Sequence, residues 1–177
     1  MLLPDEIIAL AHQLADVSGA TIRPYFRSPL SIDDKNDHSP VTIADREAER
    51  VMRELIQKVR PQDGIIGEEF GREREGAEWV WVLDPIDGTK SFTVGRALFV
   101  TLIGLLHHGK PVLGIINQPI QNERWLGMTG QGAWLNGEPV VANQIEQLQA
   151  ARLGTTGPQY LDAGATGFAR LSEQCRF

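Results

Sequence analysis

Two carboxylates, Asp84 and Asp87, precede a Gly-Thr pair in the stretch W-V-W-V-L-D-P-I-D-G-T-K-S-F at 79–92. Gly88 permits a tight turn, and Thr89 carries the hydroxyl of a helix N-cap. The amides of Gly88, Thr89 and Lys90 would then face outward from a helix start, as an anion site does. Acids beside such a site repel a phosphate unless a cation lies between them, so the pattern points to a metal-bridged phosphate. D-P-x-D-G is also ordinary surface-turn chemistry, with each residue placed for its backbone. Gly67-Glu68-Glu69 weighs against that plainer reading, because it brings more acid to the end of another short apolar run. At about 4 Å and an effective dielectric near 20, each like-charge pair costs roughly 4 kcal/mol, so such a cluster needs cations or raised pKa values.

The elements that must carry these residues follow from periodicity. The apolar, aromatic and β-branched run 79–83 predicts a buried strand stopped by Asp84-Pro85, and Ile65-Ile66 a second one. Upstream, Asp5 is placed to cap a helix bearing Ile7, Ile8, Ala11, Leu14, Ala15, Ile22 and Phe26, ended by Ser28-Pro29. His12 lies alone in it, without a partner at ligand spacing. Thr42 or Asp45 starts a second helix, with Ala44, Ala48, Val51, Met52, Leu55, Ile56 and Val59 as its apolar stripe up to Pro61. Asp45 in its first turn is explained by the helix dipole alone, worth about 0.3–1 kcal/mol. The polar arm 31–40 between the helices carries Lys35.

Downstream, 98–106, 111–117 and 124–128 read as consecutive strands of an antiparallel meander, with His108-Gly109-Lys110 as one turn. His107 and His108, being adjacent, are expected to face opposite sides of a strand end and so not to chelate one ion together. Leu135-Asn136-Gly137-Glu138 is a hairpin signal that delivers a short strand at 139–142. A boundary is expected at Asn143, dividing a metal-binding α+β domain, 1–143, from the start of a second α/β domain, 144–177. In that tail a helical turn around Ile145, Leu148 and Ala151, a strand at 152–156 and a helix at 160–173 are expected.

The chain has 177 residues and a formal net charge of −6. That length can bury a sizeable core, and that charge offers no basic stripe for a nucleic-acid backbone. A small-molecule substrate fits better. The single cysteine, Cys175, excludes an intramolecular disulfide, and no charged-apolar-cleavage leader opens the chain, so a cytoplasmic location is expected. No apolar run reaches the roughly 20 residues of a membrane span.

Together, Val41-Thr42-Ile43-Ala44-Asp45, Gly67-Glu68-Glu69 and Asp84-Pro85-Ile86-Asp87-Gly88-Thr89 resemble the inositol monophosphatase superfamily of metal-dependent phosphatases in order and spacing. Thr89-Lys90-Ser91-Phe92, the following Gly95-Arg96 and Gly114-Ile115-Ile116-Asn117-Gln118-Pro119 are most similar to its histidinol-phosphatase branch. The resemblance runs over 7–177 and is specific in the three motifs. It implies an α/β (α+β) fold, a layered αβαβα sandwich with two helices on a mainly antiparallel sheet and a second domain that this chain leaves incomplete.

The same resemblance implies the site. Glu68, Asp84 and the Ile86 carbonyl would hold one Mg²⁺, and Asp84 would bridge to a second that Asp87 also holds. Oxygen ligands without a Cys or His cluster favour magnesium over zinc. Thr89 with Glu68 would orient the attacking water, Asp45 would orient Thr89, and the Gly88 and Thr89 amides would hold phosphoryl oxygens. Glu69 is not a ligand in this scheme, and Lys35 matches a lysine the family keeps near its site. Lys90 departs from the inositol branch, where a small neutral residue stands. The implied reaction is hydrolysis of a phosphate monoester, histidinol phosphate in histidine biosynthesis, with inositol 1-phosphate or a 3′-phosphoadenosine nucleotide as the alternatives. The partner is a small phosphorylated metabolite; neither nucleic acid nor membrane is implied, and a homodimer is admitted. A different class of reading makes the chain an inactive metal-binding fragment or partner subunit. The family's further Asp, which follows an aromatic residue, has no good match; Asp162 after Tyr160-Leu161 comes too early in the chain.

Overall fold

The computed structural model of the chain describes residues 2–29, 32–34, 40–155 and 164–175. Lys35, Tyr160 and Asp162 lie outside the described residues. Helix α1 (Asp5–Ile22) opens the fold and runs into a 3-10 turn, Arg23–Tyr25. Pro4 rather than Asp5 occupies its N-cap, and Asp5 and Glu6 fill the first turn, where acids suit the dipole. The α-helix does not reach Phe26, because Pro24 has no N–H to continue the ladder.

A short antiparallel ribbon, β1 (Ile32–Asp34) with β2 (Pro40–Thr42), leads into α2 (Ile43–Val59). Thr42 is the N-cap of α2: its hydroxyl accepts the Ala44 amide at 3.2 Å, and Asp45 accepts the Thr42 amide at 2.8 Å. This reciprocal capping box satisfies amides that the helix start leaves unpaired. Ala44, Ala48, Met52 and Ile56 of the expected stripe are buried, but Val59 is exposed. Glu49 and Arg53 are buried beside the stripe.

The remaining strands are β3 (Gly64–Gly67), β4 (Gly71–Glu73), β5 (Trp79–Asp87), β6 (Val100–His107), β7 (Lys110–Gln118), β8 (Glu123–Met128), β9 (Gly132–Leu135) and β10 (Glu138–Val140). A five-residue helix, α3 (Thr89–Thr93), separates β5 from β6. The sheet runs β10-β9-β8-β7-β6-β5-β3-β4. The strands from β5 to β10 form an antiparallel meander that includes the expected one, β6 to β8, and is closed at β9–β10 by Asn136 and Gly137, both at positive φ. β3 joins β5 in parallel, which brings the C-terminal ends of those two strands to the same edge.

Both helices pack on one face of the sheet. Ile7, Leu10 and Leu14 of α1 and Met52 and Ile56 of α2 form one core with Trp81, Leu83, Ile103, Leu105 and Ile115. The alternation Thr101, Ile103, Leu105 on β6 is the period of a half-covered strand. Asp63 adds a buried polar anchor: it accepts the Trp81 indole N–H at 3.0 Å and pairs with Arg60 at 2.5 Å.

The chain forms two units, Met1–Val140 and Val141–Phe177. The second contains a 3-10 turn, Leu148–Ala150, and a helix, α4 (Ala165–Ser172). Arg152 makes a single bridge there in place of the expected strand. No described helix is long and apolar enough to cross a membrane.

Candidate active site

The parallel pairing of β3 with β5 sets Gly67 opposite Leu83, so the next residues, Glu68 and Asp84, emerge side by side. The Glu68 amide donates to the Leu83 carbonyl at 3.2 Å, extending the ladder by one step. Asp84-Pro85 does not stop β5, contrary to expectation. The strand continues to Asp87 through a bulge, with Asp84 opposite Leu102 and Asp87 opposite Val100. A bulge is where a sheet tolerates a proline, and it re-aims the side chains that follow. The Thr101 hydroxyl fixes the bulge by donating to the Pro85 carbonyl at 2.8 Å and meets Ser18 of α1 at 3.1 Å.

Gly88 then takes the left-handed conformation, φ 93°, and is itself the N-cap of α3. Thr89 is the first helical residue, not the cap. A Cβ at position 88 would lie 2.8 Å from the Leu98 carbonyl oxygen, so the turn needs glycine both for its φ and for its space. Ser91 and Phe92 donate back to the Gly88 carbonyl, at 2.8 and 3.1 Å, and close the short helix. Phe92 seats it against Phe99 with ring centroids 4.9 Å apart, over Ile22, Ala44 and Ala48.

Asp45 reaches this turn from the buried N-terminus of α2. Its Oδ2 accepts the Thr42 hydroxyl at 2.6 Å, and its Oδ1 lies 3.5 Å from the Thr89 hydroxyl, a long contact for an O–H donor. The Thr89 hydroxyl donates instead to the Ile86 carbonyl at 3.0 Å. That carbonyl keeps a second lone pair.

The acids form an electrostatic group. Asp84 is pushed up to about 8, first by burial, then by hydrogen bonding to Glu68 and by the charges of Glu68, Asp87 and Asp45. Burial also raises Asp45, against the lowering effect of its bonds to Thr42 and with a further push from Glu68. The buried Asp84 Oδ1 has no hydrogen-bond partner among the described residues. A buried acceptor in that condition, surrounded by like charge, suits a divalent cation with oxygen ligands.

Sequence reasoning missed Glu49 and Arg53. Glu49 is fully buried on α2; it accepts the Glu69 amide at 2.7 Å and the Phe70 amide at 3.1 Å, holding the turn that presents Glu68. Arg53 pairs with Glu49 at 2.7 Å and reaches Glu73 at 3.0 Å. Gly67 makes room for this, since a Cβ there would overlap the Glu49 carboxylate. The signal available was a Glu-Arg pair at i,i+4 immediately beside the stripe residues Ala48 and Met52. Glu69 is tied to Glu49 through its backbone amide.

Two other features lie apart from the acids. A cavity of about 510 Å³ is lined by residues including His12, Arg23, Asn117, Arg124 and Trp134, and by none of the site acids. His12 there has its pKa lowered, first by burial and then by Arg124, whose guanidinium is 3.4 Å away. The expectation that His107 and His108 point apart is wrong: His108 has φ 49°, which swings its ring back so that both imidazoles converge on Glu78. The described residues thus do contain a histidine cluster.

Residues 3–163 match the model of the inositol monophosphatase family. The chain is 46% identical over 175 residues to "Bifunctional phosphatase IMPL2, chloroplastic" of Arabidopsis thaliana, covering 97% of this chain and 51% of that protein. It is 35% identical to a histidinol-phosphatase of Mycobacterium tuberculosis, covering 97% of this chain and 63% of that protein. A solved inositol monophosphatase from Zymomonas mobilis superposes with a TM-score of 0.84 at 49% identity, covering 99% of this chain and 68% of that one. The chain thus spans from about half to somewhat under two thirds of the length of these two curated relatives. On the family match and these identities, the chain belongs to the inositol monophosphatase family.

Proposed function

We propose that the chain carries the metal-binding half of a phosphate monoester hydrolase, with histidinol phosphate as its substrate. The observation that carries the reading is Asp84, half-buried, raised to about 8 first by burial and then by its acidic neighbours, with a buried Oδ1 that no hydrogen bond satisfies. All the donors at hand are hard oxygens, which fit Mg²⁺ better than softer ions. Glu68, Asp84, Asp87 and the Ile86 carbonyl would hold it, with Asp84 shared between two ions.

When bound, the ions polarise the phosphoryl oxygens and lower the pKa of water. Thr89 and Glu68 orient the attacking water. Asp45, fixed by its two bonds to Thr42, stands ready to accept the Thr89 hydroxyl once the hydroxyl turns from Ile86, and catalytic hydrogen bonds commonly tighten in this way on substrate binding. The Gly88 and Thr89 amides hold phosphoryl oxygens. Residues 144–177 would belong to a second α/β domain in this reading.

The histidinol-phosphatase names among the relatives support that substrate, and the Zymomonas structure keeps an inositol phosphate in view. A panel of histidinol phosphate, inositol 1-phosphate and a 3′-phosphoadenosine nucleotide, assayed for Mg²⁺-dependent phosphate release, decides among them. Fastest turnover of histidinol phosphate is expected. Preference for another ester would overturn the substrate, and metal binding without turnover of any would favour the inactive-fragment reading.

A further inference from the structure

We propose a second metal site, for a zinc-class ion, built by Glu78, His107 and His108 at the opposite end of β5 from the acidic cluster. One donor atom from each of the three side chains lies within 4.8 Å of the other two. Glu78 Oε1 is 3.0 Å from His107 Nε2 and 3.9 Å from His108 Nε2. Zn–N and Zn–O bonds of about 2.0–2.1 Å place tetrahedral ligands roughly 3.4 Å apart, and the two distances bracket that spacing.

The backbone holds the three donors in place. Trp79 pairs with His107 across β5 and β6, and His107 with Lys110 across the β6–β7 hairpin. The His108 amide donates to the Glu78 carbonyl at 2.8 Å, tying the hairpin turn to the residue that precedes β5. His108 sits at φ 49°, and this left-handed turn brings two adjacent imidazoles to one side with ring centroids 4.3 Å apart. His107 is stacked on Trp79 with ring centroids 4.1 Å apart, which holds the plane of its ring.

Two imidazoles and one carboxylate are a set that zinc, copper(II) or nickel(II) prefers and that magnesium does not. Three protein ligands leave a fourth position open to water or to a ligand from another molecule. From Glu78 to Asp84 the strand rises about 20 Å, so the ion held here would not share ligands with the phosphatase site.

The test is calorimetric titration of Zn²⁺ into the 177-residue chain in excess Mg²⁺, repeated for His108→Ala, Glu78→Gln, Cys175→Ser and Asp84→Asn. Loss of a ligand should weaken binding at least as much as loss of a group behind one, about tenfold or more. One Zn²⁺ per chain is expected in the parent, Cys175→Ser and Asp84→Asn, with affinity at least about tenfold lower in His108→Ala and Glu78→Gln. Glu78→Gln keeps the size and exposure of the side chain, so it reports on the site if His108→Ala disturbs the turn. No binding in the parent, unchanged binding in both ligand variants, or loss confined to Cys175→Ser or Asp84→Asn would overturn the proposal. Each readout is independent of hydrolysis and so stands apart from the fate of the phosphatase reading.

Discussion

Folded and metal-free, Asp84 keeps its proton up to about pH 8, because burial and the charges of Glu68, Asp87 and Asp45 all oppose its ionisation. The unfolded chain releases the same proton near the ordinary carboxylate value of 3.8. Between those values the folded state binds more protons, so this contribution to stability is full below about 4 and is lost as pH rises through about 8. In chelator, the Tm of the parent should therefore fall across that window, and Asp84→Asn should flatten the fall and melt higher at its upper end. Equal pH profiles for the two proteins would remove Asp84 from the cluster. At Thr89 the expectation is kinetic: Thr89→Ala should lower kcat by about 10²-fold with a smaller change in KM, the size seen when one positioned donor is lost. A change in KM alone would make Thr89 a binding residue.

Two elements set the geometry of these side chains, the β5 bulge running into α3 and the turn after β3. Gly88→Ala forces a left-handed residue against the Leu98 carbonyl, and a cost of roughly 1–3 kcal/mol is expected, together with lost turnover. Glu49→Ala leaves Arg53 buried without its buried carboxylate partner, at the low end of roughly 3–5 kcal/mol for a broken buried pair, since Glu73 and the Gly71 carbonyl still reach Arg53. Thermal melts check both, and a Mg²⁺ titration of Glu49→Ala should also show weakened affinity as the Glu68 turn loosens. The acids were legible only in combination: D-P-x-D-G alone reads as a surface turn, and Gly67-Glu68-Glu69 at the end of another apolar run tips it toward a site. The bulge was not, since Pro85 reads equally as a stop and as the one place a strand accepts proline. Glu49 was hidden for another reason: in a helical pattern an acid is assigned to solvent, and only the fold reveals that two amides wait for it. His108 misled because the period-of-two rule for strands fails at a residue of positive φ.

At the scale of the whole molecule, the hairpins from β6 to β10 could be read from their turns, whereas the parallel β3–β5 pairing could not, since hydrophobic runs do not name their partners. That pairing is what sets Glu68 beside Asp84. The sheet face away from α1 and α2 carries Gly104, Gly114 and Gly127 in register across three strands, with Ile116 and Trp125 paired beside them and both exposed. The site and this face belong to the first unit, Met1–Val140, so the proposed chemistry rests on that unit's own residues. In the proposed function its carboxylates hold the ions with which a phosphate ester is hydrolysed. The most direct measurement is the initial rate of phosphate release from histidinol phosphate against Mg²⁺ concentration, for the parent chain and Asp84→Asn side by side. A saturable Mg²⁺ dependence in the parent, abolished by chelator and reduced to the buffer rate in Asp84→Asn, is the predicted result; equal rates in the two proteins, or a parent rate indifferent to chelator, would contradict it.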